Sequence, residues 1–576
     1  TLPGMKATSL IILLLCMVVV LLTQCKTEPA NQALYVKALE NGKAANEGLR
    51  RCVNYLEAWL EYADPQTGLI PENLNQGIDR WTPHNSAADN YPFMVLVSAL
   101  TDSALFHGTM HQMLETETAL TSRIGNLPDS WSFSQQDFVH EEVDMDRIIF
   151  GASEYVKDGL MPLTEYLGPS PWADRMIGIM DDVWANALVE TAFGTIPSLN
   201  VEVNGEQLQV LSRLYWMTGE QKYLDWAIRL GDYYLLGENH PTRDFEALRL
   251  NDHGCEIVSG LCELYESVHF ALPAKKEEYR EAIHEMLDRI LEVGRNEDGL
   301  FYVSVNPQTG EILENRVRDN WGYNYNGYYT VYLLDGEERY REALLQAFSH
   351  LDKYRDYDWE SGSADGFADA IEGCLNLYNR EATLEMETVE GAETMKAVED
   401  WLDSETRIMW SLQDSSYRSN ALQWQDHGII EGWHGDGNFA RTTIMYCLWK
   451  SQGTSVHPWR EDLLAGAHLE NKASADQASA DQTLYLALRA KRSWEGRLVF
   501  DAPRSVQHLN MPLDWPRINQ FPEWYTVSPE LKYEVSLLRS SGSKMDTMVY
   551  SGEELALGIH INLAAEEDLL IKVSEH

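Results

Sequence analysis

A mainly α toroid of helical hairpins, followed by a small C-terminal β domain, is the fold class that three observations predict. Apolar residues recur at helical spacing from about residue 32 to 450: Ile371, Cys374, Leu375 and Tyr378 fall at i, i+3, i+4 and i+7, and Ile257, Val258, Leu261, Leu264 and Tyr265 do much the same. Turn signals repeat between these stretches, TGEQKY from Thr218 and DGEERY from Asp335; in each, a Gly closes one helix and an acidic first turn opens the next. After about Trp494 the period shortens to that of strands. GRLVFD, YEVSLL, TMVY, LGIHINL and DLLIKV are apolar runs separated by Pro, Gly and Ser clusters.

Taken in chain order, residues 1–25 read as an export signal, with the apolar run Leu10 to Leu22 behind Lys6. The string LLTQC ending at Cys25 resembles the bacterial lipoprotein cleavage box. The expectation is lipidation at Cys25, and a place in the periplasm or on the outer-membrane surface of a Gram-negative bacterium. Residues 32–460 form the toroid. Seven segments open its more apolar helices: SAADNYPF (Asp89), EEVDMDR (Asp146), NVEVNGEQ (Glu202), LNDHGCE (Asp252), RDNWGYNYNGYY (Asp319), SADGFADA (Asp365) and WHGDGNFAR (Asp436). Helix capping accounts for any one of them. Seven in series, loaded with Trp, Tyr and His, predict inner helices that start at one end of a ring with their caps converging on a single pit. Residues 461–493, which carry ASADQ twice, read as a linker or helical insert, and 494–576 as the β domain.

The 576 residues are 44% hydrophobic and include 18 Trp and 28 Tyr, enough to bury a large core. With 45 basic against 90 acidic residues the formal charge is −45, which repels phosphate backbones and excludes a nucleic-acid partner. It also disfavours long polyanions along an open face, while leaving room for one anionic group in a local Arg pocket. Cys52, Cys255, Cys262, Cys374 and Cys447 are widely spaced within helical patterns and read as buried thiols. No Cys-pair metal motif, phosphate loop or dinucleotide fingerprint occurs, so no metal or cofactor is expected.

A concave site ringed by carboxyl groups suits glycosidic hydrolysis, which needs a proton donor and a second carboxylate for water or direct attack. Aromatic rings stack on sugar faces, and Trp321, Tyr323, Trp433 and His434 lie beside polar, Gly-rich loop chemistry. The hairpin pattern with its TGE-type turns resembles the six-hairpin glycosidase superfamily, an (α/α)6 barrel. Within it the chain is most similar to uronic-acid-directed enzymes: the unsaturated glucuronyl hydrolases of families 88 and 105 and the β-glucuronidases of family 154. The resemblance implies a catalytic acid opening the inner helix that runs into Thr218-Gly219-Glu220. The comparable residue is Glu202, with Glu206 one turn later. The early Asp of those families has only a loose counterpart in LNDHGCE or SAADNYPF, which favours hydrolysis of a saturated uronide over hydration of an unsaturated one.

Asp252, beside His253, is the first choice for the second carboxylate, with His253 tuning it; Asp319, Asp365 and Asp436 follow. Arg318 and Arg441 are the candidates for a substrate carboxylate, and Asp89, Asn324 and the aromatic residues complete the expected sugar-binding set. The expected activity is removal of a terminal uronic acid from an oligosaccharide, with membrane association only through the lipid anchor. Three alternatives compete with it. A lyase would use His253, Tyr323 and Asn324, but the short tail and negative charge disfavour it; an isomerase or epimerase on the same toroid and a non-catalytic glycan-binding lipoprotein are the others.

Overall fold

The computed structural model describes residues 29–384, 388–414, 428–472, 481–540 and 546–576. Cys25 with its export signal, most of the ASADQ repeat and residues 415–427 lie outside the described residues. Among those described, no helix is long and apolar enough to cross a membrane.

The chain folds as the helical-hairpin toroid that its periodicity predicts. Seven helical stretches line the inside. They are α1 (Tyr91–Thr101), α2 (Met145–Glu154), α3 (Val201–Thr218), α4 (Glu256–Ala271), α5 (Trp321–Asp335), α6 (Ala364–Leu384) and α7 (Gly435–Ser451). Successive members pack side by side, and α7 closes the ring against α1. Outer helices return the chain between them, the longest being Pro29–Glu61 and Val389–Asp414. Two inner stretches contain π-helical turns, Pro83–Asn90 leading into α1 and Tyr155–Leu160 continuing α2, an insertion that re-aims side chains and is common at functional sites. The predicted Gly stops are present: Gly219 and Gly336, both at φ 70°, cap α3 and α5 in the left-handed conformation.

Glycines also set the spacing of the inner ring. A Cβ on Gly322 of α5 would lie 2.5 Å from the Cα of Gly373 on α6, and one on Gly260 of α4 would lie 2.5 Å from the carbonyl oxygen of Gly205 on α3. These helices approach backbone to backbone, which draws the ring tight around its axis. The five described cysteines are free and buried in the core.

The described parts of 461–493, on either side of residues 473–480, are mainly strand and not helix. The strands are β1 (Ser455–His457), β2 (Leu463–Lys472), β3 (Asp481–Ala490), β4 (Trp494–Val499), β5 (Lys532–Arg539), β6 (Asp546–Ser551), β7 (Ile559–Leu563) and β8 (Asp568–Glu575). They form a five-stranded antiparallel sheet, β2-β3-β8-β5-β6, and a three-stranded one, β1-β4-β7. The sheets share one apolar core, to which Leu484, Leu486 and Leu488 of β3 contribute alternate residues. That period-two alternation was present in TLYLALRA, masked by the neighbouring Ala-rich repeat. Asn41 and Asn46 of the first outer helix donate to the carbonyls of Ala467 and Leu463 at 2.7 and 2.9 Å, seating the sandwich on the toroid.

The excursion between β4 and β5 returns to the toroid. Leu509, Met511 and Trp515 pack with Trp216 and Met217 near the end of α3. Arg517 pairs with Glu165 at 3.2 Å, and Asn519 reaches both Asp158 and Glu372. This segment plugs the axis from the C-terminal ends of the inner helices.

The glycine contacts generate a test. Gly322→Ala is expected to cost about 3 kcal/mol from overpacking between two backbones, measured by urea denaturation. Gly219→Ala, where a Cβ meets open space and only the left-handed φ is penalised, is expected to cost about 1 kcal/mol.

Candidate active site

The beginnings of most inner helices, with the end of α2 and its π-helical continuation, surround a pit whose floor is the plug; Asp146, in the first turn of α2, is exposed and does not join it. The resulting cavity, about 270 Å³, is walled by residues of six of the seven predicted segments or their neighbours, with Ile518 and Asn519 at its base. Three left-handed residues other than glycine face it: Asp252 (φ 48°), Glu360 (φ 44°) and Asn519 (φ 61°). Such conformations persist only where surrounding contacts over-determine them. Asp252 is held by its backbone N–H donating to Asn320 at 2.6 Å, and Asn519 by its N–H on Glu372 at 2.6 Å and its amide on Asp158 at 2.8 Å.

One wall centres on His434. Its Nε2 is 3.6 Å from Asp365, whose other oxygen accepts from Asn438 at 2.5 Å. Burial acts to raise the Asp365 pKa, but the hydrogen bond and charge of His434, the charge of Arg441 and the Asn438 amide outweigh it and hold the carboxyl well below the usual range. Asp89, from the end of the first π-helical turn, shows the reverse. Burial, reinforced by the charges of Asp158 and Asp365 against those of His434 and Arg441, pushes it up to about 7. Burial lowers the His434 pKa less than Asp365, Asp89 and Glu431 raise it, so the imidazole is held at about 10 and is charged near neutrality. Trp433, 45% exposed, leans over His434 with ring centroids 4.7 Å apart, as a mouth residue would.

A second wall centres on His253. Its Nδ1 lies 3.2 Å from Glu202 and 3.4 Å from Glu154, and its Nε2 3.3 Å from Asp252. The sequence-derived trio of Glu202, Asp252 and His253 is therefore brought together, though Asp252 sits on the rim with its side chain 43% exposed and paired with Arg249. Glu206, one turn behind Glu202, is wholly buried with neither carboxylate oxygen hydrogen-bonded. One donor atom from each of Glu154, Glu202, Glu206 and His253 falls within 4.8 Å of all the others, a spacing that fits a metal ion, in contrast to the expectation of none.

The cations of the pit are engaged by protein carboxylates. Arg441 lies 2.6 Å from Asp369 and 2.8 Å from Glu372, and also donates to Asn438 and the Tyr323 hydroxyl. Arg318 bonds Asp319 at 3.2 Å and Glu360 at 2.8 Å. Lys157 is held by Asp158 at 2.7 Å and by Glu256. Asp319 is buried behind Arg318, and burial with the charge of Glu360 raises it to about 8.

Three expected site residues are structural instead. Trp321 is 1% exposed and packs edge-on against Tyr325, Phe348 and Trp401. Asn324 is spent on the carbonyls of Leu250 and Asn320. Asp436 turns from the pit to accept from Trp59 and from the backbone N–H groups of Ile430, Glu431 and Gly432, so it anchors the loop before α7. Each was chosen for its polar neighbours, whereas helix phase decides which way it faces. Sequence reasoning missed Glu154, Asp158, Glu256, Glu360 and Asp369. A usable signal existed: acids recur four residues apart in apolar stretches, as in Glu154/Asp158, Glu202/Glu206, Asp252/Glu256 and Asp365/Asp369, a spacing that puts Glu202 with Glu206 and Asp365 with Asp369 on one helix face.

No family model matches the chain, and no curated protein does. Among solved structures it is similar to an inactive variant of an α-1,6-mannanase of Salegentibacter sp. HEL1_6 in complex with an α-1,6-mannotetrose: 11% identity, 69% of this chain, 98% of that chain and TM-score 0.38. A family 76 glycoside hydrolase (mannosidase) from Bacteroides thetaiotaomicron VPI-5482 is 14% identical over 70% of this chain and 99% of that one, TM-score 0.38. An unsaturated glucuronyl hydrolase from Bacillus sp. GL1 is 12% identical over 54% and 88%, TM-score 0.35.

The buried carboxyls give stability a definite pH dependence. Asp89 and Glu360 at about 7, Asp319 at about 8 and Glu405 at about 7 all bind protons more tightly folded than unfolded, chiefly through burial. Their contribution is full below the ordinary carboxylate range and is lost as pH rises through these values. His434 adds the same sign, its contribution being lost between 6.5 and about 10. The histidines with lowered pKa, such as His240 and His508, are neutral in both states above pH 7.5 and add no opposing slope there. The melting temperature is therefore expected to fall from pH 7 to pH 9 at constant ionic strength; a rise would mean that these carboxyls are ionised and stabilised as ion pairs.

Proposed function

We propose that the protein is an exo-acting glycoside hydrolase that removes the terminal sugar of an oligosaccharide, with Asp89 as general acid and Asp365 as the ionised partner. The observation that carries this reading is the opposite ionisation of two carboxyls on either side of one imidazolium: Asp89 is raised to about 7 and Asp365 is held low. Acid and base roles are assigned where environments push two such groups apart. The roles that the sequence suggested for Glu202 and Asp252 pass to this pair, because Asp252 is a rim residue and Glu202 stands behind His253. The plugged floor supports attack on a chain end, which enters a closed pit where a chain middle does not.

Asp89 protonates the departing glycosidic oxygen, and Asp365 either activates water or attacks the anomeric carbon directly. His434 holds Asp365 ionised throughout. Trp433 offers an exposed ring face to the sugar leaving at the mouth. The uronate preference is less well supported than hydrolysis itself: Arg441, Arg318 and Lys157 already face protein carboxylates, which leaves none of the three to a substrate carboxylate. An uncharged terminal sugar is the better fit. The lipid anchor at Cys25 and an envelope location remain part of this proposal, since export would bring the enzyme to glycans outside the cytoplasm.

Asp89→Asn and Asp365→Asn are each expected to lower kcat by roughly 10²–10⁴ on a panel of aryl glycosides that includes neutral sugars and the glucuronide. In the wild type, kcat/KM is expected to fall as pH rises through about 7, where Asp89 loses its proton. Turnover that survives both substitutions would remove the pair from catalysis, and ultraviolet absorbance growing from polymeric uronates would replace hydrolysis with β-elimination.

A further inference from the structure

We propose that Glu154, Glu202, Glu206 and His253 bind one divalent metal ion of the zinc or manganese kind in the wall of the pit. The four residues come from three consecutive inner stretches: Glu154 ends α2 ahead of its π-helical continuation, Glu202 and Glu206 share a face of α3, and His253 lies in the turn before α4. One donor atom from each lies within 4.8 Å of the rest. Donors about 2.0–2.4 Å from a common ion are separated by no more than about twice that distance, so all four can reach one centre.

The second observation is the state of those donors. Glu206 is 0% exposed and neither of its oxygens has a hydrogen-bond partner. Oε1 of Glu154 and Oε1 of Glu202 are likewise buried and without a hydrogen bond, although His253 Nδ1 stands 3.4 and 3.2 Å away. Buried carboxylates are otherwise neutralised or hydrogen-bonded, since desolvating them unpaired is costly. Lys157, the neighbouring cation, is already occupied by Asp158 and Glu256. A divalent ion would use the unclaimed oxygens together.

The orientation of His253 points the same way. Asp252 lies 3.3 Å from Nε2, on the other side of the ring from Glu154 and Glu202, so with an ion on Nδ1 the Nε2–H would face a carboxylate. A carboxylate behind the imidazole is the usual outer partner of a metal-bound histidine. Three oxygen donors with one imidazole nitrogen suit zinc or manganese better than calcium or magnesium, which take oxygen alone. Because Glu154 and His253 also line the cavity, the bound ion would present its open positions to hydroxyl groups of a sugar in the pit. The site goes beyond the acid/base assignment and does not depend on it.

Isothermal titration of protein first dialysed against EDTA, using ZnCl2, MnCl2 and CaCl2, tests the site. One equivalent of Zn²⁺ is expected to bind more tightly than Mn²⁺, with Ca²⁺ weaker than both, and each of Zn²⁺ and Mn²⁺ should raise the melting temperature. Asp252→Asn should weaken Zn²⁺ binding about 10–100-fold. Glu206→Gln should abolish binding and its thermal shift, yet melt no lower than metal-free wild type because it replaces a buried carboxyl that has no hydrogen-bond partner with a neutral group of the same shape. Asp365→Asn should leave metal affinity unchanged, which separates this site from the hydrolytic pair. Absence of stoichiometric binding to the wild type, equal affinity in Glu206→Gln, or Ca²⁺ binding as tightly as Zn²⁺ would overturn the proposal.

Discussion

The constraint on which the pit depends is neutralisation of buried acid. Starting the inner helices at one end of a tight ring concentrates carboxylates, because an acidic first turn complements a helix dipole. Five of the seven inner helices have such a turn, and Asp89 and Asp319 stand just before the other two. Lys157 and Arg441 take up part of that charge, each from an inner helix and each between two carboxylates: Asp158 and Glu256 for the lysine, Asp369 and Glu372 for the arginine. These pairs join α2 to α4 and α6 to α7, so neutralising the pit and closing the ring are the same set of contacts. Removing one partner of such a pair leaves a buried charge uncompensated, which typically costs ~3–5 kcal/mol.

What those two cations leave unneutralised divides into two chemistries. On the His434 side two carboxyls are pushed in opposite directions: burial raises Asp89 to about 7, whereas His434, Arg441 and Asn438 outweigh burial and hold Asp365 well below the usual range. On the His253 side three carboxylates converge with hydrogen-bonding capacity unclaimed. The π-helical turns matter to this division, since they carry Asp89 at the end of one and Asp158 in the other. An unbroken α-helix through either stretch would rotate that side chain away from the axis.

Much of the architecture was legible because it follows from periodicity. Helical spacing in 32–460, the Gly stops at 219 and 336 and the strand runs after Trp494 are local signals that tertiary packing reinforced. Residues 461–493 misled because Leu484, Leu486 and Leu488 alternate beside an Ala-rich repeat that reads as helix or linker. At the site, the segments containing Asp89, Glu202, Asp252, Asp365 and His434 do meet. Which residue of each segment faces inward depends on helix phase, and phase failed for Trp321, Asn324 and Asp436. The acids four residues apart were visible, but their meaning required knowing that the apolar helices around them form an inner wall.

The plug shows a dependence that no local signal carries. LNMPLDWPRINQF has the Pro and Asn content of a surface loop, yet it enters the toroid and supplies the pit floor. Asn519 can do so because it adopts φ 61°, a conformation that Asn tolerates better than most residues and that turns its backbone N–H to Glu372 while its amide meets Asp158. Asp158 belongs to α2 and Glu372 to α6, so one residue from the C-terminal region spans the pit and satisfies a carboxylate on each of two walls. The β sandwich is the frame from which this segment departs at β4 and to which it returns at β5. The floor of the pit is therefore built by residues outside the ring, and the β domain is a structural part of the pit instead of an appendage to it.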